Sequence, residues 1–348
     1  MPRIFAAIAA LLLSTGAWAA APAIVDSAFV AEAQKRGAII WDVRSVTAYK
    51  EGHIPGAVNI GDVGTVLRDE NTEDYLALPA LERILGNGGI DPAKEIVVYG
   101  PKGNSFVYFA LVTLQNFGAR NARIYHGGIE DWKAAGMPVS TETTTLPPVT
   151  LKLQPKPGVM VSTPEVVQRL GKPDVQIVDA RTPKEYTGDD IRAIRGGHIP
   201  GAVNIPYEEN WQDPESLKKL AARQTASTAG LALRPREELK ALYAKLDPEK
   251  ETIVYCQSGV RASETATVLK ELGFRDVKVY DSSWLGYAAQ LDAPADSAKF
   301  FNVGLLNSRI AGMQRRIDTL EKQLSETQAQ LQQAVSVQAQ KPGACINC

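Results

Sequence analysis

The sequence predicts two successive α/β domains, each a parallel β-sheet with helices on both faces, followed by a C-terminal coiled-coil helix. The octapeptide His53-Ile54-Pro55-Gly56-Ala57-Val58-Asn59-Ile60 returns unchanged as residues 198–205, so the chain contains one domain twice. Short β-branched runs alternate with helical stretches in both copies, the pattern of a sheet buried on both sides. Beyond the second copy, Leu306, Ile310, Met313, Ile317, Leu320, Leu324, Thr327, Leu331 and Ala334 keep alternating four- and three-residue spacing, the seam of a coiled coil.

The chain opens with a short basic head at Arg3, an apolar run from Ile4 to Leu13, and Ala17-Trp18-Ala19 as a small-x-small site. Residues 1–21 therefore read as a cleaved secretory signal, because the apolar run is shorter than the roughly 20 residues a membrane span needs. The mature chain is expected to be exported, with the periplasm as its compartment, and to have no stable membrane insertion. At 348 residues it exceeds one ordinary core. With 38 basic against 39 acidic residues it has no global field to gather nucleic acid, which leaves small molecules or proteins as partners. Three cysteines make no disulfide framework.

The first copy, residues 22–139, has Trp41-Asp42-Val43-Arg44 with Tyr49 and the strand Glu95–Tyr99. These align with Val178-Asp179-Ala180-Arg181, Tyr186 and Glu251–Tyr255 in the second copy, residues 159–296, and Trp132 falls near Trp284. Residues 140–158, rich in threonine and proline, are the linker. In the second copy Ser162-Thr163-Pro164-Glu165 is a capping box opening a helix to about Leu170. Strands are expected at Val175–Asp179, Thr252–Tyr255 and Val277–Tyr280. Helices are expected at Glu237–Leu246 and at Ala262–Leu272, the latter ended by Gly273. The second copy alone carries an insertion around Gly188–Arg195.

Cys256 follows a buried strand and precedes a helix, in Cys256-Gln257-Ser258-Gly259-Val260-Arg261. Open α/β sheets place ligand sites at that edge. A short glycine-bearing loop entering a helix turns several backbone N–H groups toward one point and so favours an anion there. Arg261 is suited either to a donor's oxyanion or to an ion pair with an acid such as Glu264. Arg181 is expected to brace the site by pairing with Asp179 or a loop carbonyl, while Arg192 and Arg195 add charge at its rim. His53 and His198 stand in identical turns of an active and an inactive copy, which makes them structural. No Cys/His cluster has zinc spacing, so no metal is expected.

The HIPGAVNI segment, the Asp-x-Arg ending a strand, the strand-borne CQSGVRA loop and Tyr280-Asp281-Ser282-Ser283-Trp284 together resemble the tandem-domain rhodanese family, over about residues 24–295. The resemblance to its bacterial thiosulfate sulfurtransferases implies a nucleophile, Cys256, that takes the outer sulfur of a donor as a persulfide. It passes that sulfur to cyanide or a thiol, chemistry that needs no organic cofactor. The resemblance also implies a backbone cradle from Gln257, Ser258, Gly259, Val260 and Arg261. Members specific for 3-mercaptopyruvate usually have glycine after the cysteine; Gln257 favours thiosulfate. Glu185 stands where animal thiosulfate enzymes have arginine. Gly100 occupies the cysteine position of the first copy, which is read as inactive. The alternatives are a persulfide carrier that docks a protein partner, or a 3-mercaptopyruvate sulfurtransferase. Cysteine phosphatases of the same fold separate cysteine and arginine by five residues; four separate Cys256 from Arg261.

The coiled coil, residues 304–337, is expected to make a homo-oligomer. The tail, residues 338–348, ends in Cys345-Ile346-Asn347-Cys348 with no histidine after it, which excludes the ordinary haem-attachment motif. A redox pair, a sulfur acceptor for Cys256, a transient metal ligand and a plain disulfide all remain open for Cys345 and Cys348.

Overall fold

The structure is a computed structural model that describes residues 22–339. The expected signal, residues 1–21, and the two tail cysteines, Cys345 and Cys348, lie outside them. Strands β1 (Ile24–Val25), β2 (Ile39–Asp42), β3 (Val58–Asn59), β4 (Ile96–Tyr99) and β5 (Ala122–Tyr125) form a parallel sheet in the order β1-β5-β4-β2-β3. The second half repeats that order. It contains β6 (Met160–Val161), β7 (Val175–Asp179), β8 (Arg195–His198), β9 (Val203–Asn204), β10 (Glu251–Tyr255), β11 (Asp276–Tyr280) and β12 (Asp296–Phe300). Its parallel sheet runs β6-β11-β10-β7-β9, while β8 pairs with β12 in a separate ribbon.

Alternate residues of each central strand feed opposite faces. In β4, Ile96 and Val98 join one buried cluster and Val97 and Tyr99 another. In β10, Ile253 and Tyr255 face one core, whereas Val254 and the following Cys256 face the other. Helices cover both faces, and each fully buried valine or isoleucine contributes about 2 kcal/mol. The helix Val260–Leu272 begins earlier than its apolar spacing suggests, because Gly259 caps it at φ 82°. Gly273, at φ 103°, closes it as expected. The helix Thr163–Arg169 carries the Ser162–Glu165 capping box. The helix Arg236–Leu242 ends earlier than expected, and Tyr243 and Leu246 complete its buried face from the turns beyond.

The linker is extended but not free. The Val149 N–H donates to the Gly86 carbonyl at 2.9 Å, and Leu153 is buried in the first core. The two sheet domains form one compact unit through Lys299. The equivalent helices Ser105–Asn116 and Val260–Leu272 pack together between them, so that Val112 enters the second core and Val260 the first.

The segment from Phe300 is a separate unit dominated by the helix Val303–Ala339. Its seam residues Ile310, Met313, Ile317, Leu320, Leu324 and Leu331 are 46–64% exposed, so among the described residues this part of the stripe is uncovered. Among the described residues no helix is long and apolar enough to cross a membrane.

Candidate active site

Cys256 leaves the end of β10 into a loop pinned by residues 281–285. The Ser283 hydroxyl accepts the N–H groups of Cys256 and Gly259, each at 3.0 Å, and donates to the Tyr280 carbonyl at 2.6 Å. The Trp284 and Leu285 N–H groups donate to the carbonyls of Cys256 and Gln257 at 3.0 and 2.9 Å. A Cβ at Gly259 would lie 2.5 Å from Asp281 Oδ1, so the loop approaches its neighbour too closely for a side chain. The N–H groups of Gln257, Ser258, Val260 and Arg261 have no acceptor among the described residues. Val260 and Arg261 are free donors of the first helical turn, and Gln257 and Ser258 are free loop donors just before its Gly259 cap, a setting in which an anion is stabilised.

Cys256 is 1% exposed but lines a cavity of about 570 Å³ between the two domains. Its loop, with Tyr207, Glu208 and Arg192, forms one wall; Gly64, Thr65, Arg68, Asp69, Ser105 and Phe106 of the first domain contribute to the other.

Two arginines of the cavity, Arg261 and Arg192, share Glu185, a buried carboxylate that does not itself line it. Arg261 forks onto its carboxylate with two contacts of 2.8 Å, and Arg192 approaches it at 3.3 Å. Burial opposes ionisation of Glu185, but the hydrogen bonds and charge of Arg261 outweigh it and bring the carboxyl down to about 2. Arg261 therefore has an ion-pair partner, and it is Glu185 rather than Glu264. Glu264 accepts the Trp211 indole N–H at 2.8 Å, and complete burial pushes its carboxyl well above the ordinary range. Burial also raises Glu208 on the cavity wall.

Arg181 binds Asp179, donates to the Gly197 carbonyl at 2.7 Å, and lies over the Trp284 ring at 4.7 Å. It is 1% exposed and braces the strand ends without lining the cavity. Arg195 corrects the expectation of a rim charge. It begins β8 and is buried, and its Nη2 donates to the carbonyls of Gln290 and Ala293 at 2.8 and 2.9 Å. Those carbonyls follow the C-terminus of the helix Ser283–Ala289, where a cation is favoured. Of the four arginines singled out in the sequence, Arg192 and Arg261 reach the cavity.

His53 and His198 stack on Tyr49 and Tyr186 at 3.7 and 3.6 Å, with Nδ1 on the tyrosine carbonyl in each case. In the first domain a Cβ at Gly100 would meet Val107 at 3.0 Å and Val43 at 3.3 Å, so the counterpart of the Cys256 site is filled by apolar side chains. Sequence reasoning missed Arg68 and Glu208, and it placed Ser283 in a motif without giving it a role. Arg68 donates from Nη2 to the Ser258 carbonyl at 2.7 Å, across 190 residues of chain that no local pattern connects.

The parallel sheet and the strand–loop–helix cysteine define a rhodanese-type site. Residues 27–135 and 162–290 both match the rhodanese-like domain model, and the chain belongs to that family. It is 34% identical over 265 residues to the thiosulfate sulfurtransferase of Corynebacterium glutamicum, across 72% of this chain and 82% of the relative. Its fold is similar to that of SseA from Escherichia coli, described as a 3-mercaptopyruvate sulfotransferase. There the TM-score is 0.62 and the identity 25%, over 76% of this chain and 99% of that one. The anaerobic ergothioneine biosynthesis enzyme of Chlorobium limicola shares the fold at a TM-score of 0.67 and 22% identity, over 78% of this chain and 69% of that one.

Proposed function

We propose that the protein is a thiosulfate sulfurtransferase that works through a persulfide on Cys256. The observation that supports this most directly is the placing of Cys256 among unpaired helix N-terminal N–H groups at the wall of an interdomain cavity. In the first half-reaction the thiolate attacks the outer sulfur of thiosulfate. A bond forms between Sγ and that sulfur, the donor's S–S bond breaks, and sulfite leaves with the electron pair. In the second, cyanide or a thiolate attacks the outer sulfur of the persulfide, and the Cys256 thiolate departs with the pair. The free N–H groups hold the anionic sulfur in both halves. Because sulfite leaves before the acceptor reacts with the persulfide, ping-pong kinetics follow. The name of the Corynebacterium glutamicum relative supports thiosulfate as donor.

The test is intact mass after incubation with thiosulfate. A gain of one sulfur that is absent in Cys256→Ser, and that is lost on adding cyanide as thiocyanate appears, is the expected result. A wild-type protein that gains no mass from thiosulfate refutes the assignment of donor. The composition of residues 1–21 supports an exported, periplasmic location. The exposed heptad seam of Val303–Ala339 supports assembly of copies through a coiled coil. Truncation after Lys299 should then leave a monomer by light scattering, and an unchanged mass would refute that assembly.

A further inference from the structure

Three guanidinium groups line the Cys256 cavity, those of Arg68, Arg192 and Arg261. Two of them share one carboxylate, Glu185, and so are largely neutralised toward an incoming anion. Arg68 is different. Among the described residues no carboxylate lies within ion-pair distance of it: its Nη2 donates to a neutral carbonyl, that of Ser258, and its Nη1 is buried with no acceptor. A buried donor left unpaired is costly unless a ligand satisfies it.

The surrounding hairpin fixes this guanidinium in place. Arg68 and Tyr75 form an isolated antiparallel bridge, and the guanidinium carbon lies 4.9 Å from the centroid of the Phe109 ring. Beside this bridge the hairpin is tied to the second domain, where the Ser282 hydroxyl donates to Asp74 at 2.7 Å. Glu70 and Glu73 line the same cavity, and no carboxylate among the described residues forms an ion pair with Arg68. Asp69 turns its carboxylate to the N–H groups of Asn71 and Thr72, at 2.9 and 3.0 Å. Asp281 is raised to about 7 by burial, against the pull of Arg68, so at neutral pH it is only partly ionised.

We propose that Arg68, supplied by the domain without a nucleophile, binds the oxyanion end of the sulfur donor and the sulfite that leaves. The inference rests on the thiosulfate reading given above and adds a substrate-binding residue to it. The free N–H groups of the Cys256 loop hold the reacting sulfur, and Arg68 on the facing wall holds the sulfonate oxygens, so the dianion spans the two domains. On this account the first domain is part of the active site.

The test compares wild type, Arg68→Gln and Arg68→Lys as full-length chains. Loading of Cys256 is followed by mass with thiosulfate and with a neutral donor, dimethyl trisulfide. Sulfite binding is titrated separately in a Cys256→Ser background. Arg68→Gln should raise the half-saturating thiosulfate concentration about ten-fold more than that of the trisulfide, with Arg68→Lys recovering much of the loss. Sulfite affinity should fall in parallel. Equal losses with both donors would mean that Arg68 merely supports Ser258, and would overturn the proposal, as would unchanged use of thiosulfate. If wild type takes no sulfur from thiosulfate, the donor assignment fails by itself and the sulfite titration still decides. Binding that depends on Arg68 supports the anion site, and binding indifferent to Arg68 overturns it.

Discussion

Replacing Glu185 by glutamine preserves its shape and removes the charge that Arg261 and Arg192 share. Its carboxyl sits at about 2 in the folded protein against an ordinary 4.5. At about 1.36 kcal/mol for each pH unit, that depression is worth about 3 kcal/mol of stability. The same figure follows from breaking a buried ion pair on one side, which costs about 3–5 kcal/mol because the remaining charge stays desolvated. Because the folded value lies below the unfolded one, the stabilisation is complete above about pH 4.5 and disappears as the pH falls toward 2. Urea unfolding should therefore show wild type about 3 kcal/mol more stable than Glu185→Gln at neutral pH, with the gap narrowing in acid. Freed from its carboxylate, Arg261 should also attract the donor more strongly, so the variant should half-saturate at a lower thiosulfate concentration. A neutral-pH gap below about 1 kcal/mol, or one that stays constant on acidification, would refute the assignment of Glu185 as the buried counter-charge.

Two further outcomes follow from the geometry. His126 joins the domains: its Nε2 donates to the Leu231 carbonyl at 2.8 Å, and its Nδ1 accepts the Tyr108 hydroxyl at 2.8 Å. Burial lowers it to about 4 from 6.5, so stability should fall by about 3 kcal/mol as the pH drops through that window. Denaturation of His126→Gln should lack this component. Gly259→Ala combines a φ of +82° with a Cβ 2.5 Å from Asp281 Oδ1, so the loop must shift. Sulfur loading measured by mass should fall at least about ten-fold even in protein that remains folded, and loading at the wild-type rate would show that the loop tolerates the shift.

The parallel sheets and the duplication were legible because strands buried on both faces read as continuous apolar runs, and because the repeated octapeptide placed the two copies in register; the strand order came only from the structure. The position of Cys256 at a strand end before a helix was legible because strand, loop and helix are contiguous in sequence. The partners of the arginines were not. Arg261 bypasses Glu264, three residues along its own helix, for Glu185 in a separate short helix. Arg195 lies in an insertion that reads as a polar surface loop, yet its neighbours are carbonyls more than ninety residues away. Arg68 depends on packing between domains, which no periodicity within either domain records.

The duplication itself separates bracing from chemistry. In both copies a buried aspartate grips an arginine two residues on, at 2.6 Å, and accepts a tyrosine hydroxyl, also at 2.6 Å: Asp42 with Arg44 and Tyr99, Asp179 with Arg181 and Tyr255. In both, an asparagine amide ties the following loop to two carbonyls, from Asn59 and from Asn204. One copy has no cysteine, so devices common to both answer to folding, and Arg181 belongs with them. What differs answers to function. The second copy alone has Cys256 and the Glu185–Arg261 pair, and the first alone has the hairpin that carries Arg68 across the interface. The first domain keeps the brace, packs Val107 and Val43 beside Gly100, and lines the cavity opposite Cys256.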